Sequence, residues 1–350
     1  MIEQDLKDYL QSTYKPKPNY HVSVSELDIM ALKKLGTQGQ VLDNLSFLHP
    51  FDNSINGKVK VIKVFQSKAK PVLLEAETTS LQKLMIFKLG DDLNLDLVGL
   101  RMLEIFNDIW KAHKVEFVWY QSDTQTPSAY VQNNVYSISK IENPTYKAGF
   151  IQCESGVSVQ GLWDNNGIFN PTVLLHGKQY TENPWNFFEQ TSQGYTTFCG
   201  LVASAVATFI SGYVLQIRDR HQDNMMLRSD GPMFHIDFQK IFGEKTLIES
   251  SEFPIPWSLL ECFSYHQQIS QFLHLCHRAH QVLILYKSTI ANCAANLSSS
   301  PGIANRARDC LNKTLVPMSF EAFQNKVTSY YGTSKKLFKD IVHLIEKYKR

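Results

Sequence analysis

Residues 217–244 bring together side chains that could do chemistry. Their sequence is IRDRHQDNMMLRSDGPMFHIDFQKIFGE. The runs MML and MFHIDF predict two short strands joined by the turn SDGP, so Asn224 before the first strand and Asp237 at the end of the second would face one side. An amide oxygen and a carboxylate are hard oxygen ligands of the kind that Mg²⁺ selects. This stretch therefore predicts a magnesium site at Asn224 and Asp237.

The same stretch supplies candidates for acid–base work. Asp219 or His221 could take the proton of a substrate hydroxyl, since a general base has to lie within hydrogen-bond distance of that proton. Metal ligands, a base and a cation for the phosphates are together what phosphoryl transfer requires. An Asp-Arg-His run alone is also typical of surface ion pairs, so the interpretation depends on finding the cation elsewhere.

The cation is expected upstream, on a predicted sheet. Runs at 59–65 (VKVIKVF) and 71–77 (PVLLEAE) predict a hairpin, and 84–90 (LMIFKLG) predicts a third strand that carries Lys88. Ser67 lies in the hairpin turn, where a hydroxyl and backbone N–H groups could hold terminal phosphates. A lone strand lysine is usually solvated. A catalytic role is favoured over a solvated lysine by the order of the parts along the chain: the serine in the turn, the lysine on the strand, a helix, the loop with the candidate base, and the aspartate that would bind the metal.

The elements that position these residues differ between the two parts of the chain. A helical period covers 96–113, and strands are expected at 115–120 and near 130–141. The chain after residue 195 is mainly helical. A β-rich part followed by a helical part predicts an α+β fold of two lobes with a cleft between them. The expected divisions are an N-terminal extension (1–54), an N-lobe (55–136) and a C-lobe (137–350).

One segment is long enough to cross a bilayer. Phe198–Ile217 holds 20 residues without a formal charge. However, Ser204, Thr208, Ser211 and other polar residues interrupt it, and it runs straight into the charged sequence RDRHQDN. These features favour the buried central helix of a large domain over a transmembrane span.

Composition excludes several classes of protein. A chain that is 43% hydrophobic and 19% charged is not disordered throughout, and its net charge of +2 gives no reason to expect nucleic acid. The six cysteines are scattered and form no C-x-x-C pair. We therefore expect neither a disulfide scaffold nor a zinc module. We do expect a reducing, cytoplasmic compartment.

In these motifs the sequence resembles the phosphoinositide 3-/4-kinase superfamily, which also includes related protein kinases. The resemblance covers roughly 55–350 and implies that the α+β fold is a bilobal, kinase-like one, with a β-rich N-lobe and a mainly helical C-lobe. The segment VFQSKAKPVLLE is similar to the family's phosphate-binding loop, and IFKLGDDLNLD to its lysine strand. RDRHQDN is similar to the D-R-H-x-x-N catalytic loop, and HIDF to the metal-binding strand H-I-D-F-G. Four motifs in the family's order make the resemblance strong.

The resemblance implies roles around the nucleotide. Lys88 would contact the phosphates of ATP, and Ser67 would touch the terminal phosphate. Asp91 and Asp96 would take the places of the family's acidic residues, with Asp96 holding Lys88 or an active-site tyrosine. Tyr120 is the expected tyrosine.

The resemblance also implies the metal and catalytic roles. Asn224 and Asp237 would hold Mg²⁺, and Asp219 with His221 would handle the attacking hydroxyl. The adenine would bind at the connection between the lobes, within 130–135.

Some positions depart from the family pattern. Gln239 stands where the family has a glycine after Asp-Phe, which removes backbone freedom at the base of the following loop. Asn94 and Leu95 replace the usual Arg-Gln. No departure removes a metal ligand or the phosphate lysine, so an active enzyme is favoured over a pseudokinase scaffold.

The acceptor is expected to be an inositol lipid in a membrane. The segment 239–257 should face it, yet its only positive residues are Lys240 and Lys245, the candidate substrate-binding residues. A ring that carries several phosphates would need more cations, which favours plain phosphatidylinositol or a monophosphate. The 3-position is the preferred acceptor. Phosphatidylinositol 4-kinase activity and a related Ser/Thr protein kinase are the alternatives.

The C-terminal residues predict peripheral membrane binding. In 335–350 apolar residues follow one helical face, and the last 20 residues carry a local net charge of +4. A helix packed on the lobe is the alternative. The resemblance leaves open a regulatory protein partner, and also whether this is part of a longer protein or a compact kinase of the kind that bacteria deliver into host cells. In the latter case the cytosol and membranes would be those of the host.

Overall fold

The computed structural model describes residues 3–15, 21–43, 45, 49–51, 58–67, 69–77, 84–119, 127–141, 143, 145–162, 192–228, 230–244, 253–298 and 300–328. The helices there are α1 (Glu3–Thr13), α2 (Glu26–Lys33), α3 (Asn94–Ala112), α4 (Ser192–Val214), α5 (Trp257–Tyr265), α6 (Ile269–Leu285), α7 (Lys287–Leu297), α8 (Pro301–Thr314) and α9 (Phe320–Thr328). The strands are β1 (His21–Val22), β2 (Val41–Asp43), β3 (Lys58–Val64), β4 (Val72–Ala76), β5 (Leu84–Leu89), β6 (Glu116–Val118), β7 (Ser128–Tyr130), β8 (Ile138–Ile141), β9 (Ala148–Gln152), β10 (Val157–Ser158), β11 (Met225–Leu227) and β12 (Met233–His235).

Strands dominate the first half of the described chain and helices the second. The predicted α+β kinase-like class is therefore confirmed. The chain divides into two compact units. We call Pro16–Leu97 with Tyr136–Glu154 the sheet unit, and Met1–Lys15, Val98–Val135 and Ser155–Lys349 the helical unit. The two units do not begin and end at the predicted lobe boundaries, because β8 and β9 pair within the sheet that contains β5. The lobe boundaries themselves stay a prediction.

The sheet unit is built on seven strands in the order β1-β8-β9-β5-β4-β3-β2. The predicted hairpin is confirmed as the antiparallel pair β3 and β4, in which Val61 lies opposite Leu74. The predicted third strand is β5, which pairs with β4. Strand β9, which the sequence pattern did not predict, lies on the other side of β5.

One face of this sheet is the core of the sheet unit. Buried apolar residues alternate along its strands, as in Val59 and Val61 of β3 and Met85 and Phe87 of β5. Successive side chains of a strand point to opposite faces, so Ile86 and Lys88 lie on the face away from this core. The sheet thus presents Lys88 beside an apolar strip rather than inside the core.

Helices α3 and α4 were both expected from the sequence. Helix α3 confirms the helical period, with Phe106, Ile109 and Trp110 fully buried. The segment Gly194–Val214 of α4 is the one described helix apolar and long enough to span a membrane, and 94% of its most apolar window is buried within the protein. This burial agrees with the predicted central core helix. Helix α4 packs against α6, β7 and β12.

The polypeptide between α3 and α4 forms shorter strands than expected. The strand predicted at 115–120 is β6, and the strand predicted near 130–141 is two separate strands, β7 and β8. They belong to different sheets, because β7 pairs with β6 whereas β8 pairs with β9. The predicted membrane-binding helix at 335–350 lies outside the described residues.

Candidate functional site

The hairpin of β11 and β12 brings the two predicted metal ligands together. The two strands pair antiparallel, with Met225 opposite His235. Asn224 is the last residue of a short 3-10 turn that leads into β11, and the amide of Ile236 donates to the Asn224 carbonyl oxygen at 3.2 Å. Asp237 follows Ile236, two residues beyond the end of β12 rather than at its last position. The hairpin predicted from MML and MFHIDF is confirmed.

Arg220 ties the loop before β11 to the residues after β12. The side chain is 3% exposed, and its guanidinium donates to the carbonyl oxygen of Ile236 at 2.8 Å and also to that of Asp237. It also donates to the carbonyl oxygen of Arg218 at 3.0 Å. A planar cation with five donors suits this role, since each main-chain oxygen lies in a fixed direction. The sequence suggested Arg220 only as one member of D-R-H and gave no sign of this role.

Asp219 and Asp237 share an uncommon backbone conformation. Each has φ of +62°, in the left-handed region that residues with a β-carbon rarely adopt. Aspartate is among the residues that tolerate this region best, and such strain tends to cluster at functional sites. The two carboxylates predicted to act at the reacting phosphate therefore both stand on strained backbone, one in the loop before β11 and one just after β12.

The oxygen atoms of Asn224 and Asp237 fit Mg²⁺. The Asn224 amide nitrogen donates to the carbonyl oxygen of Asp219 at 3.0 Å, which directs its Oδ1 away from that bond as an acceptor. One oxygen of Asp237 accepts from the Gln239 amide at 3.2 Å, and its other oxygen remains for a cation. Mg²⁺ commonly takes one or two protein oxygens and completes its shell with waters and substrate phosphates. The donor set therefore matches the predicted ion.

The candidate acid–base residues lie in the same loop at different depths. Asp219 is half-buried and His221 is buried, at the residue before the 3-10 turn. Asp223 of that turn accepts a hydrogen bond from the Ser158 hydroxyl at 3.3 Å, which fixes the turn to β10. The structure therefore places Asp219, His221, Asn224 and Asp237 in one region, while their chemical roles stay predictions.

His235 of β12 is a buried neutral histidine beneath this region. Burial lowers the pKa of His235 well below its usual range, and the charge of Arg220 lowers it further. Gly212 of α4 lies beside the ring, since a β-carbon built there would be in ordinary contact with its Nε2, at 3.4 Å. His235 is therefore a neutral core residue of β12.

The segment after Asp237 is held in place by its backbone. The Arg218 amide donates to the Lys240 carbonyl oxygen at 2.7 Å, and the Phe242 amide donates to the Leu215 carbonyl oxygen at 2.7 Å. Lys240 itself pairs with Glu244, with 2.7 Å between its Nζ and Oε1. Lys245, the second predicted substrate-binding residue, lies outside the described residues.

Lys88 and its neighbours belong to the sheet unit. The Lys88 ammonium lies 3.6 Å from Asp91 Oδ2. Asp96 is buried in the first turn of α3, and its predicted role beside Lys88 stays a prediction. Ser67 is exposed in the β3–β4 turn, where its carbonyl oxygen accepts from the Lys70 amide at 3.1 Å. Tyr120, the predicted active-site tyrosine, lies outside the described residues.

An apolar strip beside Lys88 was not foreseen from the sequence. Ile86 lies opposite Leu73 of β4 on one side and opposite Ile151 of β9 on the other. The register also sets Gly149 opposite Lys88. The alternation in LMIFK could have indicated the face of Ile86, but only the pairing with β9 shows the width of the strip.

The adenine position predicted within 130–135 has competing bonds. The Asn133 amide donates to the Asn107 side-chain oxygen at 2.7 Å, and the Asn107 side chain donates back to the Asn133 carbonyl oxygen at 3.0 Å. The Val131 amide donates to the Val115 carbonyl oxygen at 2.8 Å. These main-chain groups are therefore engaged within the helical unit.

Comparison with known proteins shows similarity to lipid kinases. Residues 173–306 match the family model described as phosphatidylinositol 3- and 4-kinase. The chain is 28% identical to a phosphatidylinositol 3-kinase of Caenorhabditis briggsae, over 57% of the chain and 19% of that protein. It is 30% identical to a probable phosphatidylinositol 4-kinase of Encephalitozoon cuniculi, over 45% of the chain and 9% of that protein. The matches thus span less than one-fifth of the length of these relatives.

Proposed function

Because this chain belongs to the phosphoinositide 3-/4-kinase superfamily, we propose that it transfers the γ-phosphate of ATP to a ring hydroxyl of phosphatidylinositol. The observation that carries the proposal is the hairpin of β11 and β12, which holds Asn224 and Asp237 side by side through Arg220. In the proposed enzyme these two residues hold Mg²⁺, which supplies charge neutralisation at the phosphate oxygens.

The chain's own groups have the remaining roles. Lys88 binds phosphate oxygens of ATP, and Asp91 orients its ammonium through the ion pair at 3.6 Å. The Ser67 hydroxyl binds the terminal phosphate from the exposed hairpin turn. Asp219, with His221, accepts the proton of the attacking hydroxyl as the new bond to the γ-phosphorus forms and the bond from that phosphorus to the β-phosphate oxygen breaks, which releases ADP.

The adenine is assigned to the apolar strip of the sheet unit. Ile86 and Ile151 lie opposite each other on the face that carries Lys88, so a flat base and its phosphates would follow one surface. The polypeptide leaves β9 after Gln152. The segment Gln152–Glu154 is therefore our second candidate for the edge of the base, beside 130–135.

We further propose the 3-position of the ring and a peripheral location on a cytoplasmic membrane surface. The similar proteins include some named as 3-kinases and one named as a 4-kinase, so the similarity supports a phosphoinositide kinase without choosing the ring position. The basic, amphipathic sequence of 335–350 supports attraction to anionic lipid.

Transfer of radiolabelled phosphate to phosphatidylinositol vesicles tests the proposal. Wild-type protein should label the lipid in a Mg²⁺-dependent reaction, and separation of the ring isomers of the product should give the 3-phosphate. Asp237→Ala should remove the labelling, whereas Asp230→Ala, which changes an exposed carboxylate of the same unit, should keep it. Labelling of peptides but of no inositol lipid would instead indicate a protein kinase. The absence of any ATP turnover would indicate a pseudokinase.

A further inference from the structure

Two buried hydroxyl groups of α4 bond to the main chain of one residue of β12. The Met233 amide donates to the Ser204 hydroxyl oxygen at 2.8 Å, and the Thr208 hydroxyl donates to the Met233 carbonyl oxygen at 3.1 Å. Ser204 and Thr208 are 4% and 1% exposed, and they lie about one turn apart on the same face of the helix. We call Ser204, Thr208 and Met233 the hydroxyl clamp.

The register of the hairpin explains why Met233 needs partners outside its own sheet. In the order β10-β11-β12, β12 is an edge strand among the strands that the structure describes. The Ile236 amide bonds to the Asn224 carbonyl oxygen, and the Arg228 amide bonds to the Pro232 carbonyl oxygen. Because alternate residues of an antiparallel pair make such bonds, the amide and carbonyl of Met233 point away from β11. Met233 is 2% exposed, so the two hydroxyls take the place of a missing strand.

The hydroxyl of Thr208 departs from the usual behaviour of such groups in a helix. Serine and threonine commonly donate to a carbonyl oxygen of the preceding turn of their own helix. Ser204 does this, since it donates to the Leu201 carbonyl oxygen at 3.1 Å while it accepts from Met233. Thr208 instead donates across to β12. The clamp thus offers Met233 one acceptor and one donor, as a neighbouring strand would.

The hydroxyl clamp lies between the elements that lead to the candidate site. Helix α4 ends at Val214, five residues before Asp219, and β12 ends at His235, two residues before Asp237. A strand of three residues has few ladder bonds of its own. The bonds of Arg220 fasten the far end of the hairpin, and the clamp fastens β12 to the helix from which the loop continues. Loss of the clamp should therefore let β12 shift against β11 and α4.

We propose that Ser204 and Thr208 are positioning residues for the metal site. This inference rests on the proposed function, in which Asn224 and Asp237 hold Mg²⁺, and it adds residues that act only through Met233. Asn224 precedes β11 and Asp237 follows β12, so a shift of β12 moves one ligand and leaves the other in place. Metal ligands have to be held within about 0.5 Å of their working geometry, so a small shift of β12 weakens the site.

Conservative variants separate the hydroxyl group from the shape of the side chain. Thr208→Val removes the hydroxyl and nearly keeps the shape, whereas Thr208→Ser keeps the hydroxyl. Ser204→Ala is a second, independent variant, because it leaves the Met233 amide without its acceptor. Ile290→Val is the matched control for lost stability. Ile290 is fully buried in α7, which packs on α1 and α8 rather than on β12.

The direct test measures Mn²⁺, as a spectroscopic probe for Mg²⁺, by electron paramagnetic resonance with a non-hydrolysable ATP analogue present. Thr208→Val and Ser204→Ala should each raise the Kd of Mn²⁺ about five- to ten-fold, as expected for one lost buried hydrogen bond. Thr208→Ser should bind Mn²⁺ as wild type does. Ile290→Val should also keep the wild-type Kd, although its urea midpoint of unfolding falls.

Two further measurements follow the effect into the reaction and the strand. In phosphate transfer to phosphatidylinositol vesicles, the two clamp variants should raise the KM for Mg²⁺ and leave the KM for the lipid near that of wild type. Peptides that cover β12 should exchange their amide hydrogens faster in Ser204→Ala than in Ile290→Val. Exchange at the wild-type rate would show that the hydroxyls do not hold β12.

The outcomes separate this inference from the proposed function. A wild-type Kd of Mn²⁺ in folded Thr208→Val and Ser204→Ala overturns the inference and leaves the kinase intact, provided that wild-type protein labels phosphatidylinositol. Equal weakening in Ile290→Val overturns it too, because the effect would then follow stability alone. If wild-type protein labels no inositol lipid, the kinase proposal fails, and the Mn²⁺ measurement still decides the role of the clamp. Wild-type protein that binds no Mn²⁺ with the nucleotide analogue overturns both.

Discussion

The guanidinium of Arg220 donates to the main-chain carbonyl oxygen of Asp237. Through this bond the loop that carries the proposed base is fastened to the residue proposed to hold the metal. A second hydrogen bond, to the neighbouring Ile236 carbonyl oxygen, makes this link rigid, since a planar guanidinium bonded at two points cannot rotate freely.

Replacing Arg220 should reduce catalysis more than folding. In Arg220→Lys the single ammonium reaches fewer of these carbonyl oxygens, so at least one buried acceptor loses its partner. We expect a loss of about 1–3 kcal/mol in the free energy of unfolding and a fall in kcat of more than ten-fold. Urea unfolding and steady-state turnover measure the two effects.

The control for this change is Arg228→Lys. Arg228 pairs with the exposed Asp230 in the same unit, so its replacement should leave kcat within about two-fold of wild type. Equal losses of kcat in the two variants would contradict the positioning role of Arg220.

Part of this site could be predicted from the sequence because its pieces are close along the chain. Thirteen positions separate Asn224 from Asp237, and the turn SDGP between two apolar runs allows one simple hairpin. The bonds of Arg220 and the partners of Glu244 could not be predicted, since they depend on side-chain directions and on Arg306, which is distant in sequence. The pairing of Lys240 with Glu244 was likewise not predicted, and the substrate-binding role of Lys240 stays a prediction.

Gly99 of α3 should be intolerant of any side chain. A β-carbon there would lie 2.9 Å from both Cβ and Cγ of Phe238, a fully buried ring next to Asp237. Because no flexible end of a side chain could yield, Gly99→Ala should cost about 1–3 kcal/mol of unfolding free energy and lower turnover. Thermal unfolding and phosphate transfer measure these losses.

Gly302→Ala is the matched control for Gly99→Ala. Nothing lies within 4 Å of a β-carbon built at Gly302, which is in α8. Because Gly302 is an exposed residue in the first turn of that helix, its replacement should leave the free energy of unfolding within about 0.5 kcal/mol of wild type. If Gly99→Ala were as stable as Gly302→Ala, the close packing against Phe238 would be wrong.

Local patterns predicted most elements, and non-local pairing decided the rest. The alternation in VKVIKVF and the helical period of 96–113 correctly predicted β3 and α3. Strand β9 was not predicted because its five residues lie in a stretch rich in Gly, Asn and Pro. It forms by pairing with β5 and β8. Its position cannot be predicted from local periodicity.

Loss of the Lys88 ammonium should weaken nucleotide binding. Lys88→Met keeps the length of the side chain and removes the charge that pairs with Asp91. We expect at least a ten-fold rise in the Kd of a fluorescent ATP analogue and loss of turnover. Asp92→Asn is the control, because Asn can still accept from the Asn94 amide as Asp92 does, so its Kd should stay near wild type. Wild-type affinity in Lys88→Met would contradict the role of Lys88.

Stability should fall as the solution becomes acidic, partly through His280. Burial lowers the pKa of His280, and the charges of His277 and Lys326 contribute, although its bond to the Thr314 carbonyl oxygen opposes them. The unfolded chain therefore takes up a proton below pH 6.5 that the folded chain resists. The free energy of unfolding should drop by up to about 1.4 kcal/mol per pH unit below that value.

Urea unfolding between pH 5.0 and 7.5 tests this dependence. His280→Gln keeps a donor for Thr314 and should flatten the slope below pH 6.5. Ser270→Ala, at an exposed position of the same helix, should reproduce the wild-type slope. Identical slopes in His280→Gln and wild type would show that other groups cause the loss.

Helix α1 completes its packing only with residues far along the chain. The Cys293 thiol contacts the Leu10 carbonyl oxygen at 3.9 Å, across 283 positions, and Tyr14 donates to Asp108 at 2.7 Å. At synthesis rates of about 5–20 residues per second, Leu6 and Leu10 emerge from the ribosome tens of seconds before α7 exists to cover them. A nascent chain thus exposes these apolar side chains through most of its translation, and α1 becomes a stable helix only after α7 has been made.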